Sequence, residues 1–388
     1  MVSAMDAWVS DEVERIVARA ERDLEALVAV SSPSGDVDGA EECVALVGAL
    51  APTEAEIERR PCSTPGHADD VVLRLSGSGE RRLLLLGHLD TVIGHASHRP
   101  LERDGERLVG SGTVDMKGGD VLALGVLRAL APRTVDYAEV ALLLVTDEEW
   151  RSAPFAHVEA FAGWNACLCF EAGQRTPDGE EAVIVRRKAA ATLRVRAAGR
   201  SAHSGAAPER GRNALLALAV AAQAVAGAND PGGPDELTAV PTIMRSGDAF
   251  NVVPGDGELF CDLRASRTAA FDEVRALLPD EVGGARLSAE FIRRWPAMDA
   301  RAVTAPLLGA AGARLGRPIV AAGRGGASDA SHFATAIPLT IDGLGPRGGG
   351  AHASDEYVLA DSLRSRAEVA LAIAAAALAG DRAPDRGV

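Results

Sequence analysis

The chain has 388 residues, room for two domains, and 47% of them are hydrophobic, which supplies a large core and excludes a mostly disordered protein. A formal net charge of -15 excludes a general nucleic-acid or anionic-membrane surface, since both need a basic footprint. Five cysteines is an odd count for a chain of this length; it points to reduced thiols rather than a disulfide framework, with Cys167 and Cys169 as buried structural thiols.

The first thirty residues mix acidic with apolar positions and carry no signal-type apolar block, and no run is suited to spanning a bilayer, so a cytoplasmic protein is expected. Apolar positions at helical spacing predict a helix over 11–29 and a second from Ala40 to Leu50. Strands are predicted at VVLRL (71–75), RLLLLGH (82–88), EVALLLVT (139–146) and ACLCFEA (166–172), with a helix from Gly119 to Leu130 between the second and third. Strands that are apolar throughout and alternate with helices imply an α/β domain: a mostly parallel sheet with helices on both faces.

The pattern then changes. ATLRVRAAG (191–199) alternates apolar with polar residues, a helix follows from Asn213 to about Ala226, and strand-like segments recur in TAVPTIM, FNVVPG, GELFCDLRAS and ARLSAEFIRR, with a helix near 269–278. That is an α+β unit with half-exposed strands. From Ala302 on, helix and apolar strand alternate again (GRPIVAAG, AIPLTIDG), ending in an Ala-rich helix over 359–378. The expected organisation is a domain of residues 1–187 and 299–388, interrupted by an inserted domain of 188–298.

Polar residues cluster where the apolar strands end: GHLDT with His88 and Asp90, GSGTVDMKGG with Asp115, LLLVTDEEW with Asp147, Glu148 and Glu149, CFEAG with Glu171, and GGGAHASDEY with His352. Ligands of open α/β sheets bind at strand ends, so these pieces can converge. Two histidines with several carboxylates form a ligand set suited to Zn²⁺, with Co²⁺ or Mn²⁺ as alternatives. Charged residues placed directly after LLLLG and LLLV runs are costly without partners, which favours a metal site over solvated loops. GLGPRG (343–348) matches GxGxxG formally, but Pro346 follows where a dinucleotide site needs a helix, so a flexible loop leading to His352 is expected.

These motifs, in this order over nearly the whole chain, resemble the M20 family of dinuclear zinc peptidases and amidohydrolases. The pattern is most similar to the carboxypeptidase G2 (glutamate carboxypeptidase) type, with acetylornithine deacetylases and succinyl-diaminopimelate desuccinylases as further relatives. The resemblance implies two zinc ions, one held by His88, Asp115 and Glu171, the other by Asp115, Glu149 and His352, with Asp115 as bridge. A shared anion of that kind offsets the repulsion between two close divalent ions. Asp90 would accept the second ring N–H of His88 and so fix its tautomer. Glu148 would take a proton from the attacking water and return it to the leaving amine.

The inserted unit would be a ferredoxin-like lid and dimerisation domain. Its segment GRSAHSGAAPERGRNA (199–214) resembles the one that carries a histidine into the other subunit's site, here His203, to stabilise the oxyanion. Asn251 and Arg264 would contact the substrate carboxylate, and GRGGASD (323–329), with Gly325 and Gly326, would be an N–H cradle at a helix start. Where the family often carries Arg-Lys-Gly, this chain has Arg187, Lys188 and Ala189, and the side-chain-binding lysine of glutamate-selective members has no counterpart; Arg293 or Arg294 offers a compensating charge. The implied substrate is a small peptide or an N-acyl amino acid cleaved at an amide next to a free carboxylate. The alternatives are a deacylase that reads the other side of the amide and a metal-free binding protein on a retired enzyme fold.

Overall fold

The computed structural model describes residues 5–379; residues 1–4 and 380–388, which the expected domain limits include, lie outside the described residues. The chain divides into two compact units. One comprises the chain up to Arg186, Asp299–Gly323 and the chain from Ser328 on; the other comprises Arg187–Met298 with Arg324–Ala327. Among the described residues no helix is long and apolar enough to cross a membrane.

The first unit begins with α1 (Ala7–Ala29) and α2 (Val37–Leu50). Both helices start where an aspartate accepts orphan backbone N–H groups: Asp6 from Trp8 and Val9, Asp36 from Gly39. Then come β1 (Glu56–Arg60), β2 (Asp70–Ser76), β3 (Arg82–His88), α3 (Gly118–Leu130), β4 (Glu139–Val145) and β5 (Ala166–Cys169).

The second unit is built from β6 (Ala189–Ala198), α4 (Ala214–Gly227), β7 (Thr238–Ser246), β8 (Asp256–Ala265), α5 (Ala269–Ala276) and β9 (Ala285–Trp295). The chain then returns to the first unit as α6 (Arg301–Leu315), β10 (Thr340–Ile341) and α7 (Ala360–Ala379).

In the first unit the strand order is β1-β2-β4-β3-β5-β10. β3 runs parallel to β4 and β5, β5 runs parallel to β10, and β1 and β2 join antiparallel at one edge. Leu83 and Leu85 belong to the core shared with α1, α3 and α7, while Leu84 and Leu86, facing the other way, are equally without exposure. A strand apolar on both sides is thus explained by a sheet covered on both faces. β1, EIERR, was not expected as a strand; its charged residues suit the sheet edge, where they discourage pairing with another chain. β5 stops at Cys169 rather than continuing to residue 172, which leaves Glu171 just beyond the strand. The parallel run of β3, β4 and β5 brings residues 88–90, 146–149 and 170–171 to one edge of the sheet.

In the second unit the main elements run β-α-β-β-α-β and the sheet order is β7-β8-β6-β9, extended beyond β9 by the short strand Glu281–Val282, all antiparallel, a ferredoxin-like arrangement. Along β6, Leu193, Val195 and Ala197 are buried in the core with α4 and α5, while Arg194 and Arg196 face away from it.

One glycine shows how tightly the first unit is built. A Cβ on Gly119, in the first turn of α3, would lie 1.9 Å from the carbonyl oxygen of Phe170, which is backbone and cannot swing aside. Gly119→Ala is therefore expected to cost about 1–3 kcal/mol or more, as overpacked cores do. Urea unfolding that gives wild-type stability for this variant would contradict the close approach.

Candidate metal centre

Asp115 lies in the turn between Gly112 and α3, and its two oxygens face two different histidines. Oδ1 is 3.2 Å from His88 Nε2 and Oδ2 is 3.1 Å from His352 Nε2. Each histidine also faces a glutamate: His88 Nε2 lies 3.9 Å from Glu171 Oε1, and His352 Nε2 lies 3.2 Å from Glu149 Oε2. Residues from five segments thus form two half-sites that share one carboxylate. Among the described residues, His88, Asp115 and Glu149 offer ligand atoms that all lie within 4.8 Å of one another.

The electrostatics call for cations. Glu148 and Glu149 are each 8% exposed. Burial pushes the Glu148 carboxyl well above the usual range, and the charges of Asp329, Glu171 and Glu149 push it the same way against His88. Burial also raises Glu149, seconded by Asp115 and opposed by His352. The histidines respond in the opposite sense. Although burial works against it, His88 is raised well above its ordinary value by Asp115 and Asp90, and His352 is raised to about 10 by Asp115 and Glu149. The negative charge that raises both imidazoles is what a bound cation would offset. One Glu149 oxygen, Oε1, is buried without a hydrogen-bond partner among the described residues. Imidazole nitrogens and carboxylate oxygens in this arrangement fit Zn²⁺, Co²⁺ or Mn²⁺.

The site is held from behind by groups that do not face it. His88 Nδ1 is 3.0 Å from the backbone carbonyl of Asp90 and 3.3 Å from its carboxylate. The ring nitrogen thus lies beside the Asp90 carboxylate expected from sequence and, closer still, beside the Asp90 carbonyl. The carboxylate also grips the main chain of the next strand end, where its two oxygens accept the backbone N–H groups of Glu148 and Glu149, each at 3.1 Å. His352 sits at φ +67°, a left-handed conformation that residues other than glycine seldom adopt and that recurs at functional sites.

Sequence reasoning missed a buried ion triad beside this tip. Arg151, 6% exposed, donates to Asp147 at 3.0 and 2.9 Å and to both oxygens of Asp329, one at 2.8 Å, while its guanidinium lies 4.1 Å over the Phe155 ring. Asp147 in turn accepts from Thr64 N at 3.0 Å and Thr64 Oγ1 at 2.7 Å. The one usable signal was an arginine four residues after an aspartate in TDEEWR, at the end of an apolar strand. Asp120 also went unnoticed. It is wholly buried with neither oxygen hydrogen-bonded among the described residues, and burial drives its carboxyl well above the usual range.

The residues expected to meet substrate lie in the second unit. Ala202–His203 pairs with Val252–Val253, and the N–H of Ser204 donates to the Asn251 carbonyl at 3.0 Å, so His203 and Asn251 share one small ribbon. His203 is exposed, and its Nδ1 accepts from the N–H groups of Gly205 and Ala206, both at 3.1 Å. The neutral ring therefore carries its proton on Nε2, as a donor.

Arg264 is half-buried and holds Asp262 at 3.0 and 3.1 Å, Arg293 lies 4.5 Å over Trp295, and Arg294 binds Asp272 at 2.7 Å. The segment expected as a cradle, 323–329, leads directly into a helix, the single turn Ala330–Phe333, and Gly326 contributes its carbonyl to Arg187 at 2.8 Å.

The profile of peptidase family M20/M25/M40 matches residues 84–376, a span that contains every ligand candidate. The chain belongs to this family. As a member it is a metal-dependent hydrolase of the peptidase class. It is similar to carboxypeptidase G2 of Pseudomonas sp. (strain RS-16), with 29% identity over 359 residues, 86% of this chain and 83% of the relative. Its fold is similar to that of a tripeptidase from Staphylococcus aureus, at a TM-score of 0.76 and 18% identity over 94% of this chain and 99% of the other. An M20 family metallo-carboxypeptidase from Sulfolobus solfataricus gives a TM-score of 0.72 and 16% identity over 92% and 99%. At these identities the structural likeness speaks to the fold.

The raised groups make a pH prediction. Raised histidines stabilise the metal-free chain below their ordinary pKa of about 6.5, and that stability is lost as pH rises through the raised value, about 10 for His352. Raised Glu148 and Glu149 act in the same direction, because their ionised forms are penalised only above the ordinary glutamate range of about 4.3. Metal uptake displaces protons and weakens in acid. The gap in unfolding temperature between metal-loaded and chelator-treated protein is therefore expected to narrow from pH 8 to pH 5.5. A constant or widening gap in calorimetry would count against this site.

Proposed function

We propose that this protein is a dinuclear zinc hydrolase, able to work with Co²⁺ or Mn²⁺, that cleaves the amide bond next to a free carboxylate of a small peptide or N-acyl amino acid, as a carboxypeptidase or dipeptidase. The observation that carries the proposal is Asp115, whose two oxygens each face one histidine, each histidine with its own glutamate. His88, Asp115 and Glu171 would hold one ion, and Asp115, Glu149 and His352 the other. When bound, such ions polarise the scissile carbonyl and acidify water.

Glu148 is the general base. Its carboxyl is buried and its pKa lies well above the usual carboxylate range, which matches a group that must take a proton from water near neutral pH and release it to the leaving amine. The backbone grip of Asp90 orients Glu148 and Glu149 together. His203, with its proton on Nε2, is the donor for the developing oxyanion in a partner subunit's site. Asn251, Arg264 and Arg293 supply polar contacts for the substrate carboxylate, which for the arginines means exchanging their present partners for it.

A homodimer through the second unit is supported by apolar surface on two neighbouring elements. Leu215, Leu216 and Val220 of α4 are 39%, 61% and 39% exposed, and Val240, Ile243 and Met244 of the edge strand β7 are 48%, 45% and 39% exposed. An edge strand with apolar side chains and open backbone groups is suited to meeting its own copy. All five cysteines are free, which accords with a cytoplasmic location.

Glu148→Gln is expected to lower kcat by about 10²–10⁴ with metal content and fold retained. Near-wild-type turnover in a preparation checked by metal analysis would refute the role of Glu148. Assays with dipeptides, N-acyl glutamates and N-acetyl amino acids show which side of the amide is read; a preference for simple N-acetyl amino acids favours the deacylase alternative. Mixing inactive Glu148→Gln with inactive His203→Ala is expected to restore activity, because a mixed dimer contains one intact site. Leu216→Asp is expected to yield monomers in sedimentation and to abolish that rescue.

A further inference from the structure

We propose that Glu356 is a positioning residue that fixes the geometry of the metal pair before any cation arrives, by holding the turn of Asp115 and the loop of His352 in one grip. The inference rests on the assignment of Asp115 and His352 as ligands, and gives a role to a residue outside that set. Glu356 is 2% exposed. Its Oε1 accepts the backbone N–H of Val114 at 2.8 Å and of Asp115 at 2.9 Å, and its Oε2 accepts that of Gly112 at 2.8 Å. Its own carbonyl accepts the N–H of Gly110 at 3.0 Å.

The turn it holds has little regular structure to rely on. Asp115 and Met116 have φ of -131° and -133°, outside the helical range, so the amides of this stretch need a partner other than a helix ladder. Glu356 supplies it from the segment that also carries His352. That segment closes on itself through Ala353 N–H to the Gly350 carbonyl at 2.9 Å and Glu356 N–H to the Ala353 carbonyl at 3.3 Å. A small sheet ties the same two regions, with Gly348–Gly349 paired to Tyr357–Leu359 and the latter to Arg107–Val109. Three N–H donors converging on two oxygens require a group that only accepts. A glutamine would turn its NH₂ toward one of them, donor against donor, and alanine would leave all three without a partner.

The test is a Co²⁺ titration of metal-free full-length protein, followed by visible d–d absorption, for the wild type, Glu356→Gln, Glu356→Ala and, as a ligand control, Asp115→Asn. Outer partners of ligand groups typically contribute 10–100-fold to metal affinity, so both Glu356 variants are expected to bind Co²⁺ about 10–100-fold more weakly with shifted bands, while far-UV circular dichroism stays that of the wild type. A merely structural role would change stability and leave the bands in place. Wild-type affinity and bands in a folded Glu356→Gln overturn the proposal. Full wild-type Co²⁺ binding by Asp115→Asn would instead mean that the ligand assignment itself is wrong. Should both Glu356 variants fail to fold, hydrogen exchange of the wild type decides: amides of 110–117 are expected to exchange as slowly without Co²⁺ as with it, and fast exchange without Co²⁺ overturns the proposal.

Discussion

Carboxylates crowded at one edge of a buried sheet set the terms for the whole first unit. Asp115, Glu149 and Glu171 approach each other around two imidazoles, with Glu148 almost wholly enclosed beside them. Like charges at this separation, away from water, repel strongly unless positive charge lies between them. The site therefore costs stability in its own right, and the surroundings offset that cost. The parallel strands β3, β4 and β5 end together, apolar residues cover both faces, and the ion triad of Arg151 with Asp147 and Asp329 anchors the tip of β4.

Backbone gripping by carboxylates recurs around this edge. Asp90 accepts from the amides of Glu148 and Glu149. Asp70 does the same one strand away, accepting the N–H of Thr146 at 2.8 Å while its other oxygen lies 2.7 Å from His157. Strand ends leave amides that no neighbouring strand can satisfy, and an acceptor-only side chain resolves this with more charge assistance than water would. Several acidic residues of this chain are thus employed on its own main chain and are not available to metal or substrate.

Much of the site was legible in the sequence, for a physical reason. His88, Glu148, Glu149 and Glu171 follow directly on apolar runs, and a titratable residue there must find a partner, so position alone marks it. The lengths of β3 and α3 were legible for the same reason, since a continuous apolar segment has definite ends. What escaped was information that no single segment holds. Asp147 looks like Glu148 until Thr64 and Arg151 are placed beside it, and the second task of Asp90, holding two amides of the neighbouring strand end, shows only when that strand is beside it. The strand β1 was invisible because EIERR is charged, and only a sheet edge makes that pattern stable.

The shared hold on Glu148 and Glu149 has an evolutionary corollary. Two neighbours along the chain, one assigned to proton transfer and one to coordination, hang from the same pair of oxygens on Asp90, so a shift of either drags the other with it. Machinery coupled in this way resists retuning piece by piece. Descendants of this protein that turn to new substrates should therefore diverge outside the tip, as at the exposed Trp150 that follows it in the chain, while the tip itself stays frozen.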